Sequence, residues 1–200
     1  AMRYANFVSP GFAKNAIFDL KHNWNRDNCF HPYHLMRENF KNYNLEINTN
    51  DFNNGRPAVF DLHLDVQIPV NVELRYLLLL ETAQIWAPNG RSENFYGYRK
   101  IFTWNDDLVD GRRFIKINYP NPIQVHSPDG FSSRNIFCCL IAGNKALATD
   151  DVRNLYPERV RVIRWFERNA PQDFDLFGIG WNIPVLHRGL LGKIERRIFG

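Results

Sequence analysis

The chain is poor in cysteine, in unbalanced charge and in long apolar runs, and each scarcity closes off a class of protein. Three cysteines in 200 residues, two of them the neighbours Cys138 and Cys139, leave no disulfide framework to build. They read as buried free thiols in a reducing compartment. The longest unbroken apolar run, residues 136–142, is far too short to cross a bilayer, so neither a spanning segment nor a signal peptide is expected. The formal charge of +4 is spread along the chain. It permits an anionic ligand but lacks the dense Lys/Arg patch of a nucleic-acid domain. Internal repeats and low-complexity segments are missing as well.

Apolar residues make up 44% of the sequence and include sixteen Phe, enough to bury a real core in one large or two small domains. The clearest pattern runs from residue 134 to 181. Residues 135–143 form a short, nearly continuous apolar run, read as a strand buried on both faces. Residues 156–169 then place Val160, Ile163 and Phe166, with Leu155 and Val162, at helical spacing, and Arg161, Arg164, Arg168 and Glu158 on the other faces. Pro157 suits the first helical turn. Residues 173–181 return as a strand closing on Gly178-Ile179-Gly180, so strand, helix and strand make a βαβ unit.

Upstream, residues 3–8 read as a strand, 12–20 as weakly helical, 35–43 as a short helix, and 45–48 and 58–64 as two more strands. Residues 72–80 read as a central strand, followed by strands at 100–104 and 114–119. The alternation favours an open α/β sheet. Residues 126–134 shift to Pro, Ser, Asp and Gly and form the expected linker, dividing an α/β domain over 1–125 from a βαβ unit over 135–200. That second part is too small to cover its own sheet, so a truncated domain is expected.

Several side chains invite chemistry. Glu81 follows the 72–80 strand directly, where open α/β sheets place ligands, although on the residues alone a loop carboxylate capping the following turn is the favoured reading. Asp106 and Asp107 are adjacent and diverge, which suits an acidic helix cap better than a metal pair. His31 and His34 lie three apart near Cys29, but Pro32 intervenes and no second ligand cluster follows, so no metal site is expected. His22, His63, His126 and His187 are isolated and read as surface or loop residues.

Five blocks in order then carry a resemblance: Leu-Leu-Leu-Glu-Thr at 78–82, Lys-Ile-Phe-Thr-Trp-Asn-Asp-Asp at 100–107, Ile-Ala-Gly-Asn at 141–144, Tyr-Pro-Glu-Arg-Val-Arg-Val-Ile-Arg-Trp-Phe-Glu at 156–167, and Asp-Leu-Phe-Gly-Ile-Gly-Trp at 175–181. Together they resemble the α-1,3/4-fucosyltransferases, glycosyltransferase family ten. The resemblance implies the N-terminal part of a GT-B enzyme, a Rossmann-like acceptor domain followed by the start of a donor domain. It implies inverting transfer of fucose from GDP-fucose to a glycan hydroxyl, without a further cofactor or metal. It implies Glu81 as general base and Arg159 and, more weakly, Asn144 as donor contacts. Trp86, Tyr96, Tyr98 and Trp104, near Glu81 in the sequence, offer aromatic faces suited to stacking on the sugar rings of an acceptor. The family's Tyr-x-Thr-Glu-Lys block is absent from these 200 residues. The isolated chain is therefore expected to be inactive. The expected partners are a nucleotide sugar and a glycan, with no nucleic acid and no integral membrane segment. The expected setting is a bacterial cytoplasm, with peripheral contact at the inner face of the membrane. A non-catalytic carbohydrate-binding module of the same fold is the competing expectation.

Overall fold

The computed structural model describes residues 1–9, 11–53, 55–67, 73–119, 132, 134–149 and 151–181. The chain divides into two compact units, Ala1–Val125 and His126–Gly200.

The first unit is built on six strands, β1 (Arg3–Val8), β2 (Leu45–Thr49), β3 (Ala58–Leu64), β4 (Arg75–Leu79), β5 (Lys100–Thr103) and β6 (Phe114–Lys116), with helix α1 (His31–Lys41) between β1 and β2. They hydrogen-bond in the order β2-β1-β3-β4-β5-β6, and every neighbouring pair is parallel. This is an open α/β sheet, and its winding reverses between β1 and β3. The connection through α1 carries the chain to one side of β1, while β3 and the strands after it stack on the other. In such sheets the crevice beyond the carboxyl ends, at the reversal, is where ligands bind.

The two-residue period of the strands divides the core. One face of the sheet gathers Ala5, Phe7, Ile47, Leu62 and Leu64 against Ile17, Phe18 and Phe30, with Tyr33, Met36 and Phe40 of α1 packed over them. On the opposite face Leu77, Leu79 and Ile101 meet Val66, Phe95 and Tyr98. That same face turns polar under β1, β2 and β3. Asn6 pairs in register with Asn48 on one side and Asp61 on the other, so three polar side chains cross the sheet in a row. Asn6 Nδ2 donates to Asp61 Oδ1 at 2.9 Å, and Asn53 Nδ2 donates to Asn6 Oδ1 at 2.6 Å. Burial without such partners would be costly, and the row satisfies most of its own groups.

In the second unit β7 (Cys138–Ile141) and β8 (Phe174–Phe177) pair in parallel, joined through α2 (Tyr156–Asn169). The helix runs over the residues its periodicity predicts, and Pro157 lies in its first turn. Ile163, 2% exposed, is the centre of its apolar stripe. Phe166 stacks on Phe174 of β8 with centroids 4.6 Å apart and planes 11° off parallel.

Some expectations are corrected. β7 is not buried on both faces among the described residues: Phe137 is 84% and Ile141 77% exposed, because α2 covers one side only. Leu155 and Val162 lie exposed, outside the helix's packed stripe, and the thiols expected to be buried are not: Cys29 and Cys139 are exposed and Cys138 is half-buried. The weak helix at 12–20 shrinks to a 3-10 turn, Ala16–Phe18, after Asn15, which adopts a left-handed φ of 61°. The strand at 114–119 ends at Lys116. The short element after β5 is capped by Asn105, whose Oδ1 accepts the Asp107 N–H at 3.1 Å, rather than by Asp106 or Asp107. Most of the expected linker over 126–134, together with His126, His187 and the basic residues Arg188, Lys193, Arg196 and Arg197, lies outside the described residues.

Candidate functional site

The carboxyl ends of β1, β3 and β4 open into a pocket of about 430 Å³ in the first unit. Its aromatic lining comes from Phe12, Phe30, Tyr33, Trp86 and Tyr119, and its aliphatic lining from Ile17, Leu64, Leu80 and Ile85. Polar groups enter at Ser9, Cys29, Asp65 and Glu81. Ser9, Asp65 and Glu81 each stand just past a strand, β1, β3 and β4 respectively, so parallel strands deliver them to one rim.

The rim is held by hydrogen bonds that begin in the sequence's Asn and Asp residues. Asn15 fixes the loop after β1 to the end of β2: its Oδ1 accepts the Thr49 N–H at 2.8 Å and its own N–H donates to Thr49 Oγ1 at 2.9 Å. That contact sets the 3-10 turn carrying Ile17 into the pocket. Asp65 takes a left-handed φ of 57°, a conformation that Asp tolerates better than most residues. Its Oδ1 accepts from three donors, the Leu80 N–H at 2.8 Å, the Glu81 N–H at 2.9 Å and Asn89 Nδ2 at 2.8 Å. Asn89 in turn accepts the Val66 N–H through Oδ1 at 2.9 Å and donates to the Glu81 carbonyl at 2.8 Å. The backbone of Glu81 is therefore gripped from both sides while its side chain is exposed at the pocket lip.

Trp86 joins Glu81 at the pocket, its indole N–H donating to the Val66 carbonyl at 2.8 Å. Trp104 is 41% exposed and donates to the Leu80 carbonyl at 2.7 Å, next to Glu81 in the chain. Tyr96 is exposed and is not among the lining residues. Tyr98 is corrected from a stacking aromatic to a core residue. It is 4% exposed, its hydroxyl lies 2.8 Å from His63 Nδ1, and its ring packs edge-on to the imidazole, so no face remains for a sugar. His63 is likewise no surface histidine. It lies fully buried on β3, with Nε2 3.7 Å from Asp61 Oδ2.

Two phenols shape the electrostatics. Burial pushes the Tyr33 hydroxyl well above the ordinary phenol range, helped by Asp65, Cys29 and Glu81. Burial raises Tyr119 further, with Tyr33 and Asp65 adding to it. Both therefore remain protonated donors at neutral pH. The Tyr119 hydroxyl is sealed from solvent and has no hydrogen-bond partner among the described residues. Sequence reasoning missed Asp65, Tyr33 and Tyr119, although Asp65 carries the same signal as Glu81, a carboxylate immediately after a strand.

The remaining site residues sit in the second unit. Arg159 lies in the first turn of α2 with its guanidinium 4.7 Å from the centre of the Tyr156 ring. Asn144 Nδ2 donates to the Gly180 carbonyl at 3.0 Å, tying the turn after β7 to the turn after β8. Among the described residues no group of three His, Cys, Asp or Glu is placed to hold a metal. No described helix is long and apolar enough to cross a membrane. No family model, curated protein or solved structure matches this chain.

Proposed function

We propose that this chain is the acceptor-side part, with the beginning of the donor-side part, of an inverting glycosyltransferase that moves fucose from GDP-fucose to a hydroxyl of a glycan acceptor. The observation that carries the reading is Glu81: a carboxylate at the lip of an aromatic-walled pocket, at the carboxyl end of a central parallel strand, on a backbone gripped by Asp65 and Asn89. A general base needs that combination of access and fixed position.

In the reaction the Glu81 carboxylate takes the proton of the acceptor hydroxyl as the oxygen bonds to C1 of fucose. The bond from C1 to the β-phosphate oxygen breaks on the opposite side, and GDP leaves with its electron pair, inverting the anomeric centre. The pocket's own charge argues that it receives the acceptor. Asp65 and Glu81 border it, and no Lys, Arg or His is among its described lining residues, so a diphosphate would be repelled there. The diphosphate falls to cationic groups elsewhere, for which Arg159, at the start of α2, is the residue the resemblance offers.

The test is GDP release from GDP-fucose by the longest native gene product across a glycan panel, alongside the Glu81→Gln variant. The reading requires acceptor-dependent release that falls by about 10²–10⁴-fold in the variant while acceptor affinity is kept. Glycan binding with no GDP release from the unaltered protein would leave a carbohydrate-binding module instead.

A further inference from the structure

The pocket beside Glu81 is a poor match for a bare sugar. Its volume of about 430 Å³ would hold one, and lies inside the roughly 300–1,000 Å³ of ordinary small-molecule sites. A pyranose, however, carries hydroxyls around its whole rim, and each must find a partner when buried. Here the walls are Phe12, Phe30 and Trp86 on the aromatic side and Ile17, Leu64 and Ile85 on the aliphatic side, none of them hydrogen-bonding into the space. The polar groups gather instead toward Asp65, Glu81 and the phenols of Tyr33 and Tyr119.

We propose that this pocket takes an uncharged apolar group, the aryl or alkyl aglycone of an amphipathic acceptor, and holds it so that an acceptor hydroxyl lies toward Glu81. The inference rests on the glycosyl-transfer reading for the word acceptor, but its chemistry is that of the pocket alone. The apolar walls bury the aglycone, and the carboxylates at the rim exclude anionic amphiphiles.

Cys29 supplies a reporter that does not depend on turnover. Its thiol is free and lies on the pocket wall, and the two other cysteines belong to the second unit. With Cys138→Ser and Cys139→Ser in the full chain, alkylation by iodoacetamide reads Cys29 alone. The expected result is that p-nitrophenyl and octyl β-galactosides and β-N-acetylglucosaminides, below their micellar concentrations, protect Cys29 at concentrations at least about tenfold lower than the methyl glycosides do. Octyl sulfate should not protect. Ile85→Glu, which sets a third carboxylate on the half-exposed wall, should abolish protection while far-ultraviolet circular dichroism stays unchanged. Equal protection by methyl glycosides, protection by octyl sulfate, or none by any aryl or octyl glycoside overturns the inference.

The two readings fail separately. Acceptor-dependent GDP release with equal KM for methyl and aryl glycosides keeps the transferase and removes the aglycone site. Protection by aryl glycosides, with no GDP release from any of them, keeps the apolar site and removes the transferase.

Discussion

Asp65 holds Glu81 by its backbone: one carboxylate oxygen accepts the Glu81 N–H at 2.9 Å together with the N–H of Leu80 and the side-chain amide of Asn89. Three donors, that of Asn89 buried and the other two part-buried, converge on a single atom. Asp65→Ala should cost about 3 kcal/mol in denaturant unfolding, since it leaves those donors unpaired and puts alanine at a positive φ. Asp65→Asn keeps an acceptor and tolerates the left-handed backbone, so about 1 kcal/mol is expected. If Asp65 positions Glu81, the alanine variant also loses transfer at temperatures where it is fully folded.

The buried phenols predict how the fold responds to alkali. Tyr33, Tyr98 and Tyr119 are all raised above the ordinary phenol range, chiefly by burial. In the unfolded chain they ionise near pH about 10. Below that pH both states are protonated and the full stability is present. Above it only the unfolded state loses its protons, and stability falls as pH climbs toward the folded values. The loss is at most about 1.4 kcal/mol per pH unit for each phenol. Urea midpoints between pH about 8 and 11 should show this limb, and Tyr33→Phe and Tyr119→Phe should each flatten it.

Tyr98 and His63 should behave as a coupled pair. Tyr98→Phe removes the hydroxyl that meets His63 Nδ1 at 2.8 Å inside the core, and a cost of about 1–3 kcal/mol is expected. In a His63→Leu background the same change should cost clearly less, because no imidazole is left unsatisfied. A double-mutant cycle without coupling would show that the contact contributes nothing.

At the end of β8, Gly178 has φ +136°, and a Cβ there would lie 2.0 Å from the Ala142 carbonyl oxygen. Gly178→Ala should therefore loosen the junction of β7 and β8. Hydrogen exchange at the amides of Ala142 and Asn144, which donate to Phe177 and Ile179 respectively, should accelerate while amides of the six-stranded sheet stay protected.

How much of this was legible in the sequence follows from how local each signal is. β3 and α2 run over the residues their patterns predict, because a two-residue and a 3.6-residue period are written into adjacent positions. Glu81 was visible as a carboxylate ending an apolar strand, and Asp65 was visible in the same way but was passed over. The pocket was not legible: its lining comes from the loop after β1, the first turn of α1, the ends of β3 and β4, and Tyr119 beyond β6. No spacing rule joins residues 9 and 119. Proximity to Glu81 in sequence does not make an aromatic part of its site, and Tyr98 shows the limit: it lies in the loop before β5 and turns into the core against His63.

The parallel order of the sheet has a consequence for how the chain is made. β1 leaves the ribosome first, yet it lies between β2 and β3 and pairs with both. It cannot complete its second ladder until His63 has been synthesised, and until Asp61 is made Asn6 lacks that acceptor. Pairings so distant in sequence delay the gain that offsets chain closure. The nascent domain must therefore carry its first strand half-paired through more than fifty residues of synthesis, held by α1 and β2 alone.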